Sequence, residues 1–157
     1  MTVWALLVWT ACQDPCDALA VEVGTGVDRF EPLEPGTDVE IVHGPQGGWH
    51  VLGAVRTWGL ADVVRLTYTI ERASDGALLS DNLFTVVSQP TPGACSREFS
   101  GLFGVLSIAA IPHEDTDTPA SLLDGERLRL VIAAEDDATQ ASDDVTVVAR
   151  DLEAVDP

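Results

Sequence analysis

Between Val63 and Arg72 the chain reads VVRLTYTIER, in which Val64, Leu66, Tyr68 and Ile70 alternate with Arg65, Thr67, Thr69 and Glu71. A period of two residues sorts these sets onto opposite faces of an extended strand, one buried and one wet. Leu19 to Val23 and Asp38 to His43 repeat the pattern in shorter form. Gly48 to Trp58 is partly apolar on both faces, Trp49, Val51, Gly53 and Val55 on one and His50, Leu52, Ala54, Arg56 and Trp58 on the other, which predicts a central strand. Further strands are predicted over Ala77 to Ser88, Glu98 to Ile111, Arg127 to Ala133 and Val145 to Arg150, with Gly101 and Gly104 suggesting a bulge or bend. Turn residues separate them: Gly44 and Pro45, Ser74 to Gly76, QPTPGAC, the acidic loop PHEDTDTPASLLDG and the polar link EDDATQASDD. No stretch carries a convincing helical period. The expectation is an all-β fold, an immunoglobulin-like Greek-key β-sandwich of about 7–9 strands over residues 19–152, with 153–157 as a tail.

Charge limits the possible partners. The 157 residues carry 26 acidic against 8 basic side chains, a net charge of −18. Such a surface repels phosphate backbones, so no nucleic-acid partner is expected. All eight basic residues are arginines. The absence of lysine removes Schiff-base chemistry, the P-loop lysine and serine–lysine hydrolase arrangements.

Residues 1–11, MTVWALLVWTA, are uncharged and almost wholly apolar. They are too few to span a bilayer as a helix, and match the apolar core of a secretory signal peptide with Ala11 at the cut. Cleavage would leave Cys12 first, an arrangement that resembles the lipobox of bacterial lipoproteins, in which that cysteine is acylated. Trp9 departs from the aliphatic residue usual three places before the cysteine, and the basic residues that normally precede the apolar core are missing. A buried N-terminal strand is the alternative. The lipobox likeness implies a membrane anchor on Cys12 and a tether over 12–18, and Gln13 is not the aspartate that retains such proteins at the inner membrane, so an outer-membrane location is expected. With Cys12 lipidated, Cys16 and Cys95 remain, and an oxidising compartment favours a disulfide between them. It would close a loop of about 80 residues, for which typical stabilisation is about 2–4 kcal/mol. A three-cysteine metal site is the rival reading.

HGPQGGWH is the most pointed local motif. It sets His43 and His50 on either side of a loop of Gly44, Pro45, Gln46, Gly47 and Gly48, a candidate functional loop. With His113 at the head of the acidic loop, three imidazoles could hold zinc or copper(II) if the fold brought them together. The structural alternative has Gly47 and Gly48 supplying positive-φ turn geometry, Gln46 and His50 bonding loop backbone groups, and Trp49 filling the core. Gly24 and Gly26 make a lone GxG; Ser80, Asp81 and Asn82 match one β-lactamase triplet without its serine and lysine; Asp115 and Asp117 lack the remainder of a calcium loop. Trp49, Trp58 and Tyr68 would stack sugars only if exposed. No catalytic arrangement and no cofactor is expected. Two functions remain: a non-catalytic module that binds or scaffolds an envelope protein or polymer, and a periplasmic metal-binding protein using His43, His50 and His113.

VEVGTG at Val21 to Gly26, FEPLEPG, IVHGPQGGWHV at Ile41 to Val51 and the late LRLVIAAEDDATQASDDVTV run resemble a group of lipoproteins of myxobacteria and related bacteria carrying a HGPQGGxH motif. The resemblance covers most of residues 19–150. It implies an envelope β-domain and nothing catalytic.

Overall fold

The computed structural model describes residues 18–45 and 47–152. The apolar segment 1–11, Cys12, Cys16, Gln46 and the tail 153–157 lie outside the described residues. The elements are β1 (Ala20–Thr25), β2 (Glu31–Pro32), β3 (Asp38–His43), β4 (Trp49–Trp58), β5 (Val63–Arg72), β6 (Leu78–Val87), β7 (Gln89–Pro90), β8 (Arg97–Val105), α1 (Pro119–Leu123), β9 (Arg127–Glu135) and β10 (Gln140–Arg150). The fold is all-β, as the alternation predicted. Ten described strands replace the expected seven to nine, because β2 and β7 have two residues each and carry no periodic signal.

Two sheets face each other across the core. In sheet A, β4 is central: β8 lies along one edge, while β1 and β3 share the other. Sheet B runs β10, β9, β5, β6, all antiparallel. β3 links the two, its first half parallel to β10 and its second half antiparallel to β4. One inward set from each sheet builds the core: Val23, Ile41, Val51 and Leu102 from sheet A, and Leu66, Tyr68, Ile70, Leu128, Leu130 and Ile132 from sheet B. Tyr68 is the largest fully buried side chain. It fits because it lies against Gly53 and Gly104, where a Cβ would stand 2.8 Å from its ring. Gly104 therefore serves this close approach, and Gly101 makes the bulge. Ser100 and Gly101 together oppose Ala54, and Gly101 has φ of 73°.

Two expectations are corrected. The acidic loop contains α1, five residues held by a reciprocal capping box between Thr118 and Ser121, with Ala120 and Leu123 buried. It is too short to display a helical period, so only its cap marked it. The polar link is mostly strand. β10 already begins at Gln140, and the turn is confined to Asp136–Thr139, where the Asp136 carboxylate accepts from the N–H groups of Ala61, Ala138 and Thr139. These three bonds hold Asp136 down to about 2. Polar residues at Gln140 to Asp144 concealed the strand because they carry no apolar alternation, although their partners lie in the adjacent hairpin strand β9, from Gln140↔Glu135 to Asp144↔Val131.

Candidate functional site

β4 pairs with β3 through Val42↔His50 and His43↔Trp49. Directly opposed residues share a face and neighbours alternate, so the register sets His43 and His50 on opposite sides of the ribbon. The His43 ring stacks on Trp49 with centroids 4.6 Å apart. Trp49 is half-buried against the core, as expected for a plug. His50 makes an edge contact with Phe103 at 5.0 Å and lies over Gly44. It does not bond the loop backbone as expected, and burial lowers its pKa. His113 is exposed in the β8–β9 connection, its Nδ1 2.9 Å from the carbonyl of Ile111. Among the described residues no three His, Cys, Asp or Glu side chains are grouped to hold a metal. The shared metal site expected of His43, His50 and His113 is thus corrected by strand register. The loop itself matches its structural reading, since Gly47 and Gly48 have φ of 77° and 109°, and the Gly44 N–H donates to the Gly48 carbonyl at 2.9 Å.

The sugar-stacking alternative also fails. Tyr68 is wholly buried in sheet B, Trp49 packs inward, and Trp58 belongs to the outer face of sheet A. The Tyr68 hydroxyl has no hydrogen-bond partner among the described residues, and burial raises its pKa. Cys95, in the β7–β8 turn, is disulfide-bonded. Its expected partner, Cys16, is outside the described residues.

The structure instead draws attention to the outer face of sheet A. β1 leaves the edge of β4 at Thr25, whose hydroxyl donates to the Leu52 carbonyl at 3.0 Å. The chain then folds across the sheet: the Gly26 carbonyl accepts from the N–H of Gly101 in the β8 bulge at 2.9 Å. Phe30 returns over Gly24 and under Arg56, whose guanidinium lies 4.2 Å from the ring centroid. Arg56 also pairs with Glu22 on β1 (3.2 Å) and Glu98 on β8 (2.9 Å). This flap covers half of the face.

The other half is open. Val42, His50, Leu52, Phe103 and Val105 are neighbours across β3, β4 and β8, by the pairings Val42↔His50↔Val105 and Leu52↔Phe103. Phe103 is 48% and Val105 55% exposed. A cleft of about 540 Å³ enters this face beside the flap, lined by Thr25, Gly26, Val27, Glu40, Val42 and Leu52. A second depression, about 860 Å³ near Asp62 and Asp137, has polar walls already committed to one another: Arg65 pairs with Glu135, and Asp136 caps its own turn. The open apolar face is the better candidate. From the sequence only His50 and the adjoining loop were singled out. Leu52 was read as one of two apolar faces, and Phe103 and Val105 were absorbed into a long strand. The signal that marked them was apolar residues on both faces of β4.

No family model and no curated protein matches this chain. Among solved structures it is similar to the CooA pilin subunit from enterotoxigenic Escherichia coli, with 9% identity and a TM-score of 0.36, over 87% of this chain and 99% of that one.

Proposed function

We propose that the protein is a non-catalytic cell-envelope lipoprotein, anchored to the outer membrane through Cys12, whose β-domain binds or scaffolds another envelope component through the open half of sheet A. The observation that carries the binding reading is the continuous apolar surface of Val42, His50, Leu52, Phe103 and Val105 beside a cleft. Contiguous exposed apolar surface of this kind marks interaction sites. The envelope reading rests on the apolar segment ending at Cys12, on the resemblance to myxobacterial lipoproteins and on the disulfide at Cys95, which suits an oxidising compartment. Cys16 is its proposed partner. Labelling cells with a palmitate analogue tests the anchor: label on Cys12 is expected, and an uncut, unlabelled N-terminus overturns it. For the face, purified protein and its Leu52→Asp and Phe103→Asp variants are used as bait in envelope extract. Specific capture lost in both variants is expected; equal capture by all three removes this face from the function.

A further inference from the structure

β1 and β3 meet the same edge of β4 end to end. β1 pairs with it from Trp58 to Ala54 and β3 from Val51 to Trp49, so Leu52 and Gly53 pair with neither strand. The two strands diverge at this point: β1 passes after Thr25 into the flap, and the first half of β3 pairs with β10. The fork between them is the cleft of about 540 Å³ that adjoins the open face. One wall is fixed by the Thr25 hydroxyl on the Leu52 carbonyl and by the Gly26 carbonyl on the Gly101 N–H. The other is fixed by the pairing of β3 with both sheets.

The lining is sorted by depth. Val39 and Val51, at 6% and 0% exposure, belong to the core and form the floor. Val42 and Leu52, half-buried, are the walls, and Asp28, Glu31 and Glu40 stand exposed at the rim. Glu31 pairs with Arg29, whereas the carboxylates of Asp28 and Glu40 have no partner among the described residues. The volume lies within the range of pockets that bury a ligand or an anchoring side chain. The cavity and its apolar floor make the site; the rim selects the sign of what enters.

Depth also decides the orientation of the occupant. A lysine entering tip first would set its ammonium against Val39 and Val51, where desolvation opposes it. An apolar group enters instead and leaves its cation at the rim. Val42 and Leu52 belong to the open face as well as to the cleft, so the occupant continues beyond the cavity, as a protein segment does and a small molecule does not. A second copy would bring another field of −18, whereas a basic segment is attracted. We propose that the cleft receives a bulky apolar side chain of a partner protein, flanked in its own chain by arginine or lysine, as the anchor of the partner on the open face. This rests on the binding-face reading above and names its partner chemistry.

The test uses the full chain and short blocked peptides of glycine and serine around a central Arg-Phe-Arg, Arg-Ser-Arg or Glu-Phe-Glu. Each is titrated to about 5 mM while backbone amide shifts are followed by NMR. Saturable shifts at Glu40, Val42 and Leu52 are expected with Arg-Phe-Arg. Arg-Ser-Arg is expected to bind about tenfold more weakly, for want of the buried ring, and Glu-Phe-Glu not at all. Glu40→Arg should weaken Arg-Phe-Arg about fivefold and Glu40→Gln about twofold. The shifts in the unmodified protein stand whether or not these variants fold. Absence of saturable shifts at the three amides overturns the proposal, and so does equal binding of Arg-Phe-Arg and Glu-Phe-Glu. If capture from envelope extract is lost in Phe103→Asp and unchanged in Glu40→Arg, the cleft falls and the open-face reading stands alone; if neither variant alters capture, both fall. Dimers seen by sedimentation and dispersed by Arg-Phe-Arg would make the occupant a second copy and overturn the proposal.

Discussion

The two halves of the outer face of sheet A are built on the same strand and have opposite fates. Around Arg56 the face is sealed: Phe30 is 6% exposed beneath the guanidinium, and Glu22, Arg56 and Glu98 form a ladder across three strands. Around Leu52 the same face is open, and Phe103 and Val105 stand half in water. Composition does not separate them, since each half carries aromatic and aliphatic side chains. The difference is the route of residues 26–30, which leave β4 at Thr25, cross to Gly101 and return. Surface that the chain covers contributes to stability; surface that it leaves bare is available to a partner.

The sharpest way to break this contrast is to truncate one aromatic from each half. Phe30→Ala is expected to cost about 3 kcal/mol in urea unfolding, in the range for a buried phenylalanine. Phe103→Ala should cost less than about 1 kcal/mol, as a partly exposed side chain away from the core. Equal losses would abolish the distinction. Gly24→Ala probes the fit beneath the flap, because its Cβ would lie 2.4 Å from the Phe30 ring and 2.5 Å from the Glu31 carbonyl. A loss of about 1–3 kcal/mol is expected from overpacking, with the Phe30 ring displaced in a crystal structure of the variant; an unmoved ring at native stability would mean the flap is loosely held.

Arg56→Met keeps the aliphatic stem and removes the charge. The loss should be about 1 kcal/mol for partly exposed ion pairs and the cation over the ring, and its thermal midpoint should respond less to salt than the parent's. On the open side the smallest effect is that of pH on His50, whose pKa burial depresses below the ordinary 6.5. The unfolded chain then binds the proton more readily than the folded one, so stability present above 6.5 declines as pH falls through 6.5 toward the folded value. His50→Gln should flatten that slope between pH 7 and 5. A slope unchanged in the variant would assign it to another group.

Much of the β-framework was legible because its signal is local. Asp38 to His43 and Val63 to Arg72 were read with the bounds the structure has, and Gly48 to Trp58 is the central strand that two apolar faces implied. Pairing was not legible. The parallel meeting of β3 with β10 and the division of one β4 edge between β1 and β3 depend on contacts between segments remote in sequence. That register separated His43 from His50, and HGPQGGWH could not announce it.

By itself the sequence determined an all-β chain, the inward faces of its main strands, the glycine turn at Gly47 and Gly48 and an acidic surface that uses arginine alone. Each follows from spacing or composition, which act over a few residues or over the whole chain without regard to order. Only the tertiary structure decided that Phe30 is covered and Phe103 half in water, and that Tyr68 fits against Gly53 and Gly104. Which chain segment lies above an apolar residue, and which strand lies beside it, is a matter of long-range closure. Alternation tells a side chain which face it occupies, and only the packed fold settles whether that face meets protein or water.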